Sequence, residues 1–561
     1  MKASRTRAAS LLIIGALLVG TGCSDRSESD RSSSPDASPK EDLTPMTITF
    51  AAGDIHPLWD DMQSEVGKLI TEKTGISIKA QFQSGNDTDI FALMVANNEY
   101  PDLVSAKGSV GKLMDAGALI DLRPLIEAHA PNIKKLYGEY IKRLRWSNDD
   151  HGIYVLPTAP VNQTYFKAGG GFELQHAVLK ELGYPQIKTV KDFENALKAY
   201  YDKHKTTADG QAIIPLTLNG GEWQFLISVT NPAVATTGAQ DEGEFYIDPV
   251  TYEAKFHYLR PEEKEYFRWL NHMHDIGLLD PESFVQKYGQ YRAKIASGRV
   301  LGLIDADWDF AGEVAALKKE GKIDQTYAHF PVTLNESFKR HDFQSTGYLA
   351  GIGISITKSA KDPVRVIKFL DFLASDEGQV LVNWGIEGKH YKVENGKRII
   401  PDDILNMKVN DSRNFRKTTG VDMYRMGPSY GDGVKDPTGN YYTTDFPEQI
   451  EKEYTQADRE TLAAYNIKSY KDLWPSEKEF PDKPWGAVWN INMETGSEEN
   501  VIFQQCKDIV KKRITQAILA KPEQFDAIWD DFMKELEKAG VEKLNEAFTK
   551  LVKDRVKLWN E

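Results

Sequence analysis

An α/β fold of two or more domains is what this sequence predicts, on three observations. Strand-like and helix-like segments alternate between residues 46 and 105 in the order strand, helix, strand, helix, strand. That order is the pattern of a parallel sheet with helices on its faces. The chain of 561 residues is 41% hydrophobic and 11% aromatic, enough apolar surface for more than one core. The first 45 residues differ in composition from the rest, so the folded body is expected to begin at Met46.

The leading segment has its own logic. Lys2, Arg5 and Arg7 precede an apolar run over residues 11–20. The run is too short for a spanning helix, which needs roughly 20 residues, and has the layout of an export signal. Thr21 and Gly22 directly before Cys23 resemble the lipobox of bacterial lipoproteins, with Gly20 standing where that pattern usually has Leu. The resemblance implies that residues 1–22 are removed and that Cys23 carries a diacylglyceryl group. Two acyl chains give a stable anchor where one does not. Residues 23–45, rich in Ser, Pro and charge, read as a disordered tether. As a flexible coil, that length spans on the order of 25 Å.

Loss of the signal removes three basic residues and moves the net charge from −14 to −17. Such a body is a poor nucleic-acid binder and is repelled by anionic lipid. Cys506 is the only other cysteine, so neither an intrachain disulfide nor a thiolate metal cluster is expected. No second apolar segment approaches spanning length, which excludes a channel or permease.

Within the body, β-branched alternation predicts a strand from Met46. Trp59, Met62, Val66, Leu69 and Ile70 recur at helical spacing over residues 59–74. Gly75 stops that helix as a C-cap glycine. Residues 76–82 form the next strand, residues 90–97 a helix, and residues 100–105 lead into a third strand. Far downstream, Phe525, Ile528, Trp529, Phe532, Leu536, Val541, Leu544 and Phe548 predict helix over residues 525–558.

A family resemblance follows from motifs in order along residues 46–390. They are Thr74-Gly75-Ile76, Tyr100-Pro101-Asp102-Leu103-Val104, and the segments 117–122, 152–157, 296–308, 351–355 and 360–384. Together they resemble the family 1 extracellular solute-binding proteins, the carbohydrate-type receptors of ABC importers. The resemblance implies a two-lobe, periplasmic-binding-protein-like fold of type II with a multi-segment hinge and the ligand in the cleft. The first lobe would hold residues 46–158 and about 325–358. The second would hold 159–324 and about 359–561, including a C-terminal extension. Crossings are expected near Thr158, between about 308 and 331, and near Lys358.

A sugar presents hydroxyls at its edge and an apolar C–H face, so its receptor needs an aromatic platform ringed by polar groups. Trp308 follows the strand at residues 300–304, and strand carboxyl ends face the crevice in parallel sheets; the resemblance also places an aromatic residue there. Asp305 and Asp307 flank it as polar candidates. Trp223 and Glu222 lie just past another strand, beside Gly220 and Gly221. Asn162 and Tyr165 follow the first crossing, with strand core the competing reading for Tyr165. Trp384 opens a polar, aromatic loop, where cleft lining and helix-end packing compete. No metal is assigned. The stretch after Tyr201, where larger uronide-binding relatives carry a calcium loop, lacks alternating oxygen ligands. The run Asn271-His-Met-His-Asp275 reads as surface, because i and i+2 do not share a helix face.

The expected function is capture of a sugar, most simply an oligosaccharide, by a lipid-anchored monomer on the outer face of a Gram-positive cell membrane, for delivery to ABC permease subunits. No catalytic residue and no cofactor is assigned. The alternatives are a surface-anchored glycan-processing enzyme, which needs two carboxylates across a cleft, and a peptide receptor. A Gly-x-Ser-x-Gly elbow and a P-loop do not occur in the sequence.

Overall fold

The computed structural model describes residues 42–53, 56, 58–82, 89–240, 243–494 and 496–561. The export signal, Cys23 and most of the expected tether lie outside these residues. Pleat alternation in β1 (Met46–Ala52) turns Ile48, Phe50 and Ala52 into one core, against Val66 and Ile70 of the helix Glu65–Thr74. Ala51 faces the opposite side, with Phe91, Val104 and Leu113. A strand covered on both faces suits a parallel sheet. β1 pairs in parallel with β2 (Ile76–Phe82) and β3 (Leu103–Ser105). β11 (Gly353–Ile356) runs antiparallel between β3 and β4 (Leu156–Pro157), completing the order β2-β1-β3-β11-β4.

A second sheet has the order β10-β5-β9-β6. β5 (Gly170–Gln175) runs antiparallel to both β9 (Val300–Ala306) and β10 (Tyr327–Phe330), and β6 (Ile214–Thr217) parallel to β9. Phe172, Leu174, Ile304, Ala328 and Phe330 form its main core with Phe193, Leu197, Phe267 and Leu270. Helices Glu498–Leu519, Phe525–Ala539 and Val541–Asn560 enlarge this core through Cys506, Ile514, Trp529, Phe532 and Phe548. They also close a hairpin edge. In β7 (Phe245–Ile247) and β8 (Ala254–Phe256), the Ala254 and Phe256 amides donate to Thr549 Oγ1 at 2.8 Å and Asn545 Oδ1 at 2.7 Å. Side chains of the last helix thereby satisfy strand donors that would otherwise be orphaned.

Several expectations change. Gly75 does end the first helix, with φ 68° and its amide on Thr71 O, but the helix starts at Glu65. Ser64 caps it, and Asp61 and Met62 adopt left-handed backbone before it, which leaves Trp59 in a turn. The helical run at the C-terminus is split by Gly540, at φ 94°. Asn271 is buried, not surface: its amide donates to the carbonyls of Ala517, Ile518 and Ala520 at the end of Glu498–Leu519.

The expected lobe boundaries are also corrected. β10 stays in the second sheet because four of its residues pair with β5, so the chain recrosses over residues 331–352, later than expected. No crossing occurs at Lys358. Helices Pro363–Ala374 and Asp376–Trp384 remain in the first core, where Val366, Ile367, Phe369 and Leu370 meet Ile126, Ile133 and Leu136. Asp371 fixes that contact by accepting from Ile133 N at 2.8 Å. Phe415, Val421, Met423 and Met426 belong to the first core too. The chain re-enters the second core by Leu462, and Leu558 and Trp559 return to the first. The C-terminal extension therefore serves both cores.

Candidate functional site

Trp308 is the second residue of the helix Asp307–Lys319, immediately after β9, and Trp223 lies in the loop after β6. Both indoles are exposed, at 58% and 52%. Their planes are 6° apart and their centroids 6.0 Å apart. The pair thus presents aromatic area to solvent, apolar on its faces and polar at the indole nitrogens.

The polar network beneath them is local and buried. Asn219 Nδ2 donates to Asp309 Oδ2 at 2.8 Å, and Asn219 N to Ser228 Oγ at 3.0 Å. Ser228 Oγ in turn donates to Ile304 O at 2.7 Å. The Trp223 loop is thus tied to the strand and helix that carry Trp308. Gly220 and Gly221 serve this loop by close approach to protein backbone rather than to a ligand: a Cβ on Gly221 would sit 2.0 Å from Gln286 O.

The other candidates divide. Glu222 accepts from Tyr288 N at 2.8 Å and lies 3.6 Å from Lys287 Nζ, so it caps the helix Tyr288–Ala296. Asp305 is buried and accepts from Tyr291 OH at 2.7 Å and Ala306 N at 2.8 Å. Burial, with Asp309 next, pushes its carboxyl well above the usual range. Both of these bonds turn it inward, toward the helix Tyr288–Ala296 and its own strand end. Trp384 is 3% exposed, donates to Tyr441 O at 3.0 Å and packs on Phe446 and Tyr391; of its two readings, packing holds. Asn162 is exposed on left-handed backbone at the first crossing.

Tyr165 is exposed and lines a pocket of about 280 Å³ with Lys167, Asn231, Asp305, Arg340 and Trp474. The pocket gathers both long crossings, 158–169 and 331–352, at the end of β9. Its charges are paired. Asp342 accepts from Arg340 Nε at 2.8 Å and Trp474 Nε1 at 3.0 Å. Burial would raise that carboxyl, but Arg340 holds it below the usual range. Burial likewise opposes charge on Lys167, but Asp445, 2.6 Å away, and Glu453 raise its pKa.

Two features escaped the sequence reading. Arg340, Asp342 and Trp474 reach the pocket from distant segments with no local signal. On the first sheet, Trp59 sits 5.8 Å from Phe82 and 5.7 Å from Tyr424, with His56 5.6 Å from Phe82. This aromatic cluster stands at the carboxyl ends of β1 and β2, where a parallel sheet meets its crevice. Strand-end position was the available signal; helical spacing of Trp59 masked it. Among the described residues, one group has donor types and spacing for a metal: Glu173, Asp307 and His329. Burial pushes the Glu173 carboxyl up to about 8. Burial disfavours charge on His329, yet Asp307 and Glu173 push its imidazole up to about 9.

The two lobes also meet at the Trp308 helix. Lys319 Nζ lies 3.1 Å from Asp411 Oδ1, next to the helix Ser412–Thr419 of the first core.

Comparison with known proteins adds the following. The family model described as bacterial extracellular solute-binding protein matches residues 59–380. Lipoprotein LipO of Bacillus subtilis is 22% identical over 369 residues, 62% of this chain and 68% of LipO. The fructooligosaccharide ABC transporter substrate-binding protein FusA of Streptococcus pneumoniae serotype 4 is 21% identical, over 96% of each chain. The crystal structure of the alginate-binding protein AlgQ2 without calcium superposes with a TM-score of 0.64 at 19% identity, over 92% of this chain and all of AlgQ2. The last likeness shows the same two-lobe α/β fold.

Proposed function

The chain belongs to the bacterial extracellular solute-binding protein family, and we propose that it captures an oligosaccharide between its lobes and delivers it to the membrane subunits of an ABC importer. The observation that carries this reading is the exposed, parallel Trp223–Trp308 pair at the strand ends of the second sheet. The names of FusA and AlgQ2, a fructooligosaccharide and an alginate binder, support a glycan cargo.

The mechanism is closure. A ligand lying on the tryptophan pair reaches the first lobe's aromatic cluster around Trp59 only when the lobes approach. Its differential affinity then shifts the population toward the closed form. The two long crossings absorb the rotation. Trp308 and Trp223 supply the platform, while Asn162 and Tyr165 remain the polar and aromatic groups open to the ligand. Glu222 and Asp305 hold the site's frame. No residue is assigned a catalytic role. Lipidation at Cys23, in keeping with the likeness to LipO, holds a monomeric receptor at the outer membrane face within reach of the permease.

A thermal-shift screen against plant, bacterial and algal oligosaccharides tests the reading. A concentration-dependent rise in Tm with the glycan recovered intact supports it. Recovery of cleaved glycan replaces it with an enzyme, and no rise with any oligosaccharide rejects it.

A further inference from the structure

Glu173 stands in the middle of β5 with no exposed surface, yet neither carboxylate oxygen has a hydrogen-bond partner. A buried carboxylate without donors is a costly arrangement. His329 stands opposite it in the β5–β10 register, with Nδ1 3.6 Å from Glu173 Oε1. Asp307, the first residue of the Trp308 helix, brings Oδ1 to 3.5 Å from the same nitrogen. His329 Nδ1 and Asp307 Oδ1 are buried without hydrogen bonds as well.

These separations exceed hydrogen-bond length, which runs to about 3.2 Å. They match another geometry. Metal–ligand bonds of about 2.0–2.2 Å in a tetrahedron place neighbouring ligand atoms roughly 3.4 Å apart. One donor atom from each residue lies within 4.8 Å of the others. Three features therefore converge on one small volume: an unpartnered buried carboxylate, a facing imidazole nitrogen and a second carboxylate at coordination spacing.

We propose that Glu173, Asp307 and His329 form a binding site for a first-row divalent cation of the zinc class, with a fourth position left for water. Two carboxylates and an imidazole suit zinc or manganese. Three protein ligands fall short of the six to eight oxygens typical of calcium. Access is from the Asp307 side, whose side chain is 39% exposed. The cation joins β5, β10 and the first turn of the helix that carries Trp308, so it steadies that turn. The rival occupant of the triangle is a proton on His329 bridging the two carboxylates.

The test needs no sugar. The full chain is stripped with a chelator, dialysed against zinc or manganese, and assayed for bound metal, Tm and anomalous scattering in crystals. The expected result is about one zinc per chain, a raised Tm, and an anomalous peak among the three side chains. Glu173→Gln and Asp307→Asn are expected to weaken zinc binding roughly tenfold or more. Asp307→Asn sits at a half-exposed helix start, so it reports even if the buried Glu173 variant fails to fold. Retention of neither metal, zinc affinity unchanged in Asp307→Asn, or a peak elsewhere overturns the proposal in favour of the bridging proton.

Discussion

Asn219, four residues before Trp223, donates a 2.8 Å hydrogen bond to Asp309, the residue after Trp308, and both partners are buried. This bond makes the two tryptophans one surface rather than two independent loop side chains. The aromatic pair is exposed, so packing does little to orient it. Its parallel arrangement depends on the polar frame underneath.

Asn219→Ala is accordingly expected to weaken oligosaccharide binding although Asn219 is fully buried. The variant removes the Asn219 Nδ2 donor from buried Asp309, a loss of about 1–3 kcal/mol in stability. Calorimetric titration and urea unfolding together check this. Full affinity in a folded Asn219→Ala protein would separate the frame from the site.

Trp308→Ala and Trp223→Ala each remove an exposed ring, so the fold is expected to survive. Sugar affinity is expected to fall by more than roughly tenfold, in line with losing one aromatic anchor. Trp384→Ala is the contrast: it empties a buried position and is expected to cost about 3–5 kcal/mol in unfolding experiments. Unchanged affinity in both exposed variants would remove the tryptophan pair from the site.

Cys23→Ser is expected to release the protein into the medium, as read by fractionation and mass spectrometry of the mature N-terminus. Retention at the membrane in that variant would refute lipidation at Cys23.

Asp102 gives a pH prediction. It accepts from Thr49 N at 2.7 Å, Thr49 Oγ1 at 2.6 Å and Lys361 N at 3.1 Å. Burial raises its pKa, but these bonds outweigh burial and hold it below the usual range. A depressed folded pKa stabilises above the unfolded value, about 3.9, and the contribution is lost as pH falls through the folded value. Asp102→Asn is therefore expected to unfold more easily than wild type at pH 7, with the gap closing below about pH 4. A gap that persists undiminished at acid pH would show that charge on Asp102 is not its source.

Much of the architecture was legible in sequence because its signals are short-range. The alternation in residues 46–52 and the glycine at 75 specify a strand and a helix stop within a few residues of themselves. The exposed position of Trp308 was legible because it follows a strand closely, and strand ends in such sheets open onto a crevice. Trp59 was misread because its spacing from Met62 and Val66 mimics a helix, while Ser64 starts the helix later.

What the sequence by itself determined is the α/β class, carried by periodicity, the family, carried by the resemblance of its ordered motifs, and the two exposed tryptophans, carried by position beside a strand. What only the tertiary structure decided is where side chains spend their hydrogen bonds and which core each late segment joins. Asp305 and Asp307 are two residues apart, yet one is turned into Tyr291 and the other toward His329. Helix Pro363–Ala374 belongs to the first lobe because Asp371 meets the backbone of Ile133, far back in the chain. Such choices rest on partners brought together by folding, from 14 to 238 residues apart, which no pattern local to either residue encodes.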